Sequence, residues 1–434
     1  MDVIASAPWY VWVFFFIGVY ATAIQLLKML SAFGSEMAAP HTSASRSEPG
    51  SPEFVEALAN AMGAPMYRGG TARMLNNGDE FYPALMDAIR SARHSVHIMT
   101  YIWKKGVLST QVLDALIDCA RRGVEVRIMM DGIGSFFAPR KKIKELHEAG
   151  GQSAVFSPLI FREIIHIERR NHRRAFVIDG RIAYTGGITI ADQWLGHAQD
   201  PHHWRDTMIE VTGPMARSLQ SAFVSLWMNV KGEVLSGPAY YPPDEDPLPN
   251  PHVLHVGVAS APSTEVQPLL HFLWFTLYSA HKRILIANAY FTPDRHIRRL
   301  LREKARAGID VQIMVPSKHT DNQLVRWSSH YFYQKYLEAG VRIYEYQPTM
   351  MHAKHMVIDG QWTVVGSANV DIRSVMMNQE NVIGISDPVL AAEVERIFFE
   401  DVKQCKEITL EEWRKRPWWW HVREQLAVLF KVQY

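Results

Sequence analysis

The segment His352-Ala-Lys354-His-Met-Val-Ile-Asp359-Gly-Gln-Trp-Thr-Val-Val-Gly366-Ser367-Ala-Asn369 reads as a β-hairpin. Val357, Ile358, Trp362, Thr363, Val364 and Val365 are strand formers, and Asp359-Gly360 between them is a turn signal. Side chains alternate along a strand, so His352 and Lys354 face the same way. The outgoing strand ends in small residues that let a ligand approach the backbone. An imidazole, an ammonium, the Ser367 hydroxyl and the Asn369 amide then line one shallow site, a set that suits an anionic tetrahedral centre such as phosphate.

The pattern occurs once more, about 180 residues upstream, as His172-Arg-Arg174-Ala-Phe-Val-Ile-Asp179-Gly-Arg-Ile-Ala-Tyr-Thr-Gly186-Gly187-Ile-Thr189. The spacing from His to basic residue to Asp-Gly to Gly is the same in both copies. One His-x-Lys is weak evidence, because most such residues are solvated strand positions. Two copies with matched downstream Asp-Gly and Gly are not an accident of composition.

The duplication extends beyond the motif. Strand, helix, strand, helix, strand are expected over 73–75, 81–92, 95–103, 110–122 and 124–130, from short apolar runs alternating with 3.6-period segments. Gly123-Val-Glu-Val-Arg-Ile-Met-Met-Asp131 has its counterpart in Gly308-Ile-Asp-Val-Gln-Ile-Met-Val-Pro316. Helices are expected at 140–149, 214–227, 266–280 and 295–307, and a strand at 283–291. Strands alternating with helices imply an α/β class built from two α/β/α repeats. Each repeat supplies one His, so the halves should face each other across a pseudo-two-fold cleft. The divisions expected are an apolar anchor over 1–33, a tether over 34–53, a first half over 54–232, a Pro-rich connector over 233–264, a second half over 265–412 and a Trp-rich amphipathic tail over 413–434.

These residues resemble the phospholipase D superfamily, whose signature is H-x-K-x4-D followed by G-[SG]-x-N, present twice. Within it the likeness is greatest to the bacterial cardiolipin synthases, through His352–Asn369, Val370-Asp-Ile-Arg-Ser374, Asn378-Gln-Glu380, Ala191-Asp-Gln-Trp194 and Trp204-Arg-Asp206. The first copy departs from the second: Arg174 replaces Lys, Gly187 replaces Ser and Thr189 replaces Asn. The resemblance implies two phospholipase-D-like repeats forming a pseudo-dimer. It implies catalytic roles for His172, Arg174, Asp179, His352, Lys354 and Asp359, and phosphate contacts from Gly187, Thr189, Ser367 and Asn369. His172 is then the nucleophile and His352 the acid/base. Asp179 and Asp359 fall on the opposite strand face, at the turn, which fits a turn-fixing role. The imidazoles are then oriented by Asp206 and Glu380.

The implied reaction is phosphatidyl transfer between two phosphatidylglycerols through a phosphohistidine, giving cardiolipin and glycerol. No metal or other cofactor is implied. The implied partners are membrane phospholipids and the bilayer, not nucleic acid. Alternatives are a phospholipid hydrolase, a nuclease and a non-catalytic lipid-binding protein.

Composition bears on these choices. The chain has 434 residues, a net charge of +2, 48% apolar and 21% charged residues, and two cysteines, Cys119 and Cys405. Near-neutral charge gives no global attraction to nucleic acid. Two distant cysteines point to a reducing compartment. Val3–Leu27 carries no charge and is long enough to cross a hydrocarbon core of about 30 Å. The rival readings are a cleaved signal peptide and a buried core helix. The acidic Met1-Asp2 start and the long run favour a retained anchor. Lys28 and Arg46 follow it, which places a single-pass protein in the inner membrane with its body in the cytoplasm. Arg162, Arg169 and Arg170 form a basic cluster before the first motif, beside the expected phosphate site or on a solvated strand edge. The aromatic segment Trp327–Tyr336 is either an apolar wall of the site or a core-facing helix. Trp418-Trp-Trp420 beside Arg414, Lys415 and Arg416 suits a membrane-surface contact, with packing onto the body as the rival.

Overall fold

A computed structural model describes residues 8, 9, 12, 13, 15, 16, 18–20, 47–158, 169–262 and 267–429. They belong to two units, Met1–Ser45 and Arg46–Tyr434. In the first unit Trp9, Trp12, Val13, Phe15, Phe16 and 18–20 are helical. Most of the expected anchor, the tether up to residue 46, Arg162 and the last five residues of the tail lie outside the described residues. Among the described residues no helix is long and apolar enough to cross a membrane.

The second unit contains a seven-stranded and a nine-stranded sheet among the described residues. The first runs, edge to edge, Ala72–Asn76, Thr207–Thr212, Ile182–Gly186, Ala175–Ile178, Ser95–Thr100, Glu125–Asp131, Gln152–Phe156. The second repeats that order as Leu254–Ser260, Glu380–Ser386, Trp362–Gly366, Lys354–Ile358, Arg283–Asn288, Asp310–Pro316, Arg342–Tyr346. The pairings match strand for strand: the last two contacts in each series are parallel and the others antiparallel. The nine-stranded sheet adds Met66–Arg68 at one edge and Cys405–Ile408 at the other.

The strands look this way because of where they sit. Ser95–Thr100 and Arg283–Asn288 are covered on both faces, and their sequences are short apolar runs rather than alternating ones. Helices Asn77–Ser91, Val107–Arg121 and Arg140–Glu148 cover the outer face of the first sheet. Helices Ala216–Lys231 and Pro388–Val402 lie between the sheets and pack on both. Their core face carries Leu219, Phe223, Trp227, Leu390, Val394 and Ile397. Fully burying side chains of this size contributes about 1.5–3 kcal/mol each. The two repeats therefore share one core.

The segment 233–264, expected to be a connector, contains the strand Leu254–Ser260. That strand is the counterpart of Ala72–Asn76, so the second repeat begins inside the Pro-rich stretch. Its central position beside Glu380–Ser386 is a long-range pairing. The tail also differs from a free amphipathic segment. Trp413 is buried against His330 and Tyr333, and helix Trp418–Leu429 packs on helix Gln323–Leu337. Arg416 and the buried Glu424 form an ion pair at 2.5 Å. Trp418, Trp419, Val422 and Leu426 stay exposed on the other side of that helix. Helix Gln323–Leu337 buries Phe332, Tyr333 and Tyr336, so the aromatic segment is mainly core-facing.

Candidate active site

The two hairpins bring their histidines together through a crossed arrangement. The His172 backbone N–H donates to the Gln379 carbonyl of the other repeat (2.9 Å), and the His352 N–H to the Arg205 carbonyl (2.7 Å). The neighbouring residues, Glu380 and Asp206, then meet the rings. His172 Nδ1 lies 2.9 Å from Glu380 Oε1, and His352 Nδ1 lies 2.7 Å from Asp206 Oδ2. Each imidazole is thus oriented by the carboxylate of the opposite repeat.

Each ring also has a cation against it. Arg174 Nη1 is 2.9 Å from His172 Nδ1 and donates to the carbonyls of His172 (2.9 Å) and Ser367 (3.2 Å). Lys354 Nζ is 3.1 Å from His352 Nε2 and donates to the His352 carbonyl at 2.6 Å. The field of Lys354 reaches His172, and that of Arg174 reaches His352, so both pairs belong to one site.

Both carboxylates are fully buried and held by further donors. Asp206 accepts from the Trp194 indole (2.8 Å) and the Thr207 N–H (2.7 Å). Glu380 accepts from the Ser367 hydroxyl (2.5 Å) and the Asn378 amide (3.3 Å). Burial alone raises both acids, but the imidazoles, Arg174 or Lys354, and these donors outweigh it and hold both below the usual carboxylate range. Burial, reinforced by the adjacent cation, lowers His172 and His352 to about 4. Burial and then Arg174 lower Lys354 to about 7, against the pull of Asp206 and Glu380. At neutral pH the site holds two ionised carboxylates and two neutral imidazoles, and a proton on Nδ1 would meet the carboxylate and leave Nε2 as the base.

The departures of the first copy have physical causes. A Cβ on Gly187 would collide with the Asp206 carboxylate. Glycine leaves the room there that the Asp206 carboxylate needs. Thr189 is buried; its carbonyl accepts from Tyr82 (2.7 Å), and its hydroxyl makes no hydrogen bond within the protein. The buried Asn369 Oδ1 likewise makes none. Both stand at matching positions after the second hairpin strand.

Asp179 and Asp359 are elsewhere. Asp359, at φ +53°, accepts from the N–H groups of His281, Lys282 and Arg283 at 2.7–2.8 Å. Asp179, at φ +52°, accepts from Arg93, His94 and Ser95 at 2.7–2.9 Å. Each ties its hairpin turn to the start of the next strand, about 20 Å from the histidine by strand rise. Neither touches the site, and the catalytic role implied for them is replaced by a structural one.

The basic cluster before the first motif separates. Arg169 is exposed, while Arg170 is buried with Asp131 (3.4 Å) and Ser157. The sequence reading missed the aromatic walls. The Tyr101 ring lies 4.8 Å from His172, the Trp204 ring 5.3 Å and the Tyr290 ring 6.4 Å from His352. Tyr101 and Tyr290 both follow the first strand of the parallel series, and aligning the two repeats is the signal that would have found them.

The chain is similar to known proteins over most of its length. A family model described as cardiolipin synthase, PLD-like domain, matches residues 85–227 and 274–402. The chain is 33% identical over 371 residues to cardiolipin synthase 1 of Bacillus cereus, covering 84% of this chain and 72% of that one. It is 34% identical over 361 residues to the major cardiolipin synthase of Bacillus subtilis, covering 82% and 74%. Among solved structures, phosphatidylserine synthase of Haemophilus influenzae matches with a TM-score of 0.68 at 15% identity, over 88% of this chain and all of that one, which shows a shared fold.

Proposed function

The chain belongs to the cardiolipin synthase family with a PLD-like domain, and from that premise we propose that it joins two phosphatidylglycerols through a phosphohistidine, forming cardiolipin and releasing glycerol. The observation that carries the reading is the crossed pair of imidazole–carboxylate contacts at one cationic site. His172 Nε2 attacks the phosphorus of the first lipid, and the P–O bond to its headgroup glycerol breaks. His352 gives that oxygen its proton. The glycerol hydroxyl of the second lipid then loses its proton to His352 and attacks, and the P–N bond breaks to free His172.

His352 must be protonated for the first step, although burial and Lys354 hold it low before substrate binds. An arriving phosphodiester carries a negative charge that offsets Arg174 and Lys354, and so raises the proton affinity of the ring beside it. Arg174, Lys354, Thr189 and Asn369 bind the non-bridging oxygens. Asp206 and Glu380 fix the tautomers. Trp194, Trp204, Tyr101 and Tyr290 exclude water, which favours a lipid hydroxyl over hydrolysis.

The uncharged run Val3–Leu27 supports a single-pass anchor in the inner membrane, and Lys28 and Arg46 support a cytoplasmic body. A topology reporter at residue 1 that reads from the cytoplasm contradicts this placement. The exposed stripe Trp418, Trp419, Val422 and Leu426 supports a further bilayer contact by the tail.

Incubating the purified protein with labelled phosphatidylglycerol tests the reaction. Cardiolipin and free glycerol in equal amounts are expected. Phosphatidic acid as the main product makes the protein a hydrolase, and digestion of DNA makes it a nuclease.

A further inference from the structure

Two loops flank the His172 side of the site, 101–107 after strand Ser95–Thr100 and 132–139 after strand Glu125–Asp131. They are stitched together and to the site. The Lys105 N–H donates to the Phe137 carbonyl (3.2 Å), and the Ser135 hydroxyl to the Tyr101 carbonyl (3.0 Å). The Tyr101 ring rests on His172.

Their tips are apolar and bare. Val107 is 62%, Phe136 49% and Phe137 67% exposed, and the two phenyl rings meet edge to face at 5.1 Å. Lys104, Lys105, Arg140 and Lys141 stand exposed around them. The carboxylates nearby are engaged: Asp192 accepts the N–H groups of Val107 and Leu108, and Asp114 pairs with Lys142. A cleft of about 430 Å³ beside Phe136 is lined by the apolar Ile143 and Val155 and by the polar Arg140, Lys144 and His147. Lys144 also pairs with Glu148 at 3.4 Å.

The fold does not require these features. The loop in the same topological place in the second repeat, Ser317-Lys-His-Thr-Asp-Asn322, has no large apolar residue, and its Asp321 is held by the Tyr290 hydroxyl at 2.6 Å. A chain with a net charge of only +2 has gathered cations around exposed rings at the mouth of its site. Bare aromatic side chains ringed by lysine and arginine fit the headgroup layer of an anionic bilayer, where the rings enter the acyl boundary and the cations meet lipid phosphates.

We infer that Val107, Phe136 and Phe137, with Lys104, Lys105, Arg140 and Lys141, form a docking surface for an anionic lipid bilayer that seats the His172 mouth against the membrane. The inference rests on the lipid reading above. It adds a bilayer contact on the first repeat, beside the site, to the contact of the tail. The cleft beside Phe136 gives an anionic headgroup a place between Arg140 and Lys144 at that contact.

The test uses the full chain and two forms of one substrate: phosphatidylglycerol in vesicles, and dihexanoyl-phosphatidylglycerol as dissolved monomers. The variants are Phe136→Ser with Phe137→Ser, and Lys104→Glu with Lys105→Glu and Lys141→Glu. Turnover on vesicles is expected to fall about tenfold or more in each, while turnover of the monomer stays within about twofold. Vesicle turnover that survives both variants overturns the docking surface, as does an equal loss on both substrates. The readout is total product, so an enzyme that makes phosphatidic acid still reports docking, and the two proposals fail separately.

Discussion

The first and second repeats share one strand order and one hairpin motif, yet they furnish the site with different groups. The first gives Arg174, Gly187, Thr189 and Asp206; the second gives Lys354, Ser367, Asn369 and Glu380. The differences compensate within each repeat. The shorter carboxylate, Asp206, sits against a glycine and borrows the Trp194 indole, while the longer Glu380 takes a serine hydroxyl and an amide. Each repeat's departure is therefore read from what the other repeat's histidine needs, not from its own motif.

The repeats are interdependent if both histidines do chemistry on one phosphorus. His172→Ala and His352→Ala should each lower turnover by about 10⁴-fold, since groups acting as a unit fail together. With His352→Ala, labelled phosphorus should be trapped on the peptide containing His172. Label on the His352 peptide in the reciprocal variant reverses the two roles.

Crossing predicts equal dependence on the two carboxylates. Asp206→Asn and Glu380→Gln should each cost about 10²-fold through a misplaced tautomer. A large effect from one and none from the other breaks the symmetry. The kinetics of the isolated steps sharpen it: each variant should slow the step that uses the opposite repeat's histidine.

The third expectation runs against motif matching. Gly187→Ser makes the first copy look more like the second, but the new Cβ pushes on an Asp206 that His352, Trp194 and Thr207 hold in place. Loss of about tenfold or more is expected; an unchanged or improved rate refutes the crowding argument.

The cations differ in how they titrate. Lys354, pushed down to about 7, carries its charge below that value and loses it as pH rises through it. A contribution to phosphate binding therefore fades on the alkaline side. Lys354→Arg should extend the alkaline limb of kcat/KM, with only a few-fold change at neutral pH. An unmoved limb assigns the titration to another group.

The smallest effect on turnover is expected at the turn acids. Asp359→Asn and Asp179→Asn should stay within about threefold of the parent activity while costing about 1–3 kcal/mol of stability, read as a lowered Tm, because each carboxylate holds three backbone N–H groups.

Much of this was legible in the chain. Short apolar runs and 3.6-period segments located the strands and helices around both motifs, and the matched segments at 123–131 and 308–316 revealed the duplication. Strand Leu254–Ser260 was not legible. Prolines and turn residues surround it, and its strand character comes from pairing with Glu380–Ser386. The tail was half legible: its tryptophans announced an interface, but Trp413 and Glu424 face helix Gln323–Leu337 while Trp418, Trp419, Val422 and Leu426 face outward.

The sequence by itself determined the repeat, the two histidines with their cations, and the turn acids, because these depend on spacing along one or two strands. Only the tertiary structure decided which carboxylate serves which imidazole, why a glycine stands where a serine is expected, and which loops are bare beside the mouth. Those depend on residues far apart in the chain meeting in a buried space, where a carboxylate's reach and the loss of water set the outcome, and neither leaves a periodic trace in the order of amino acids.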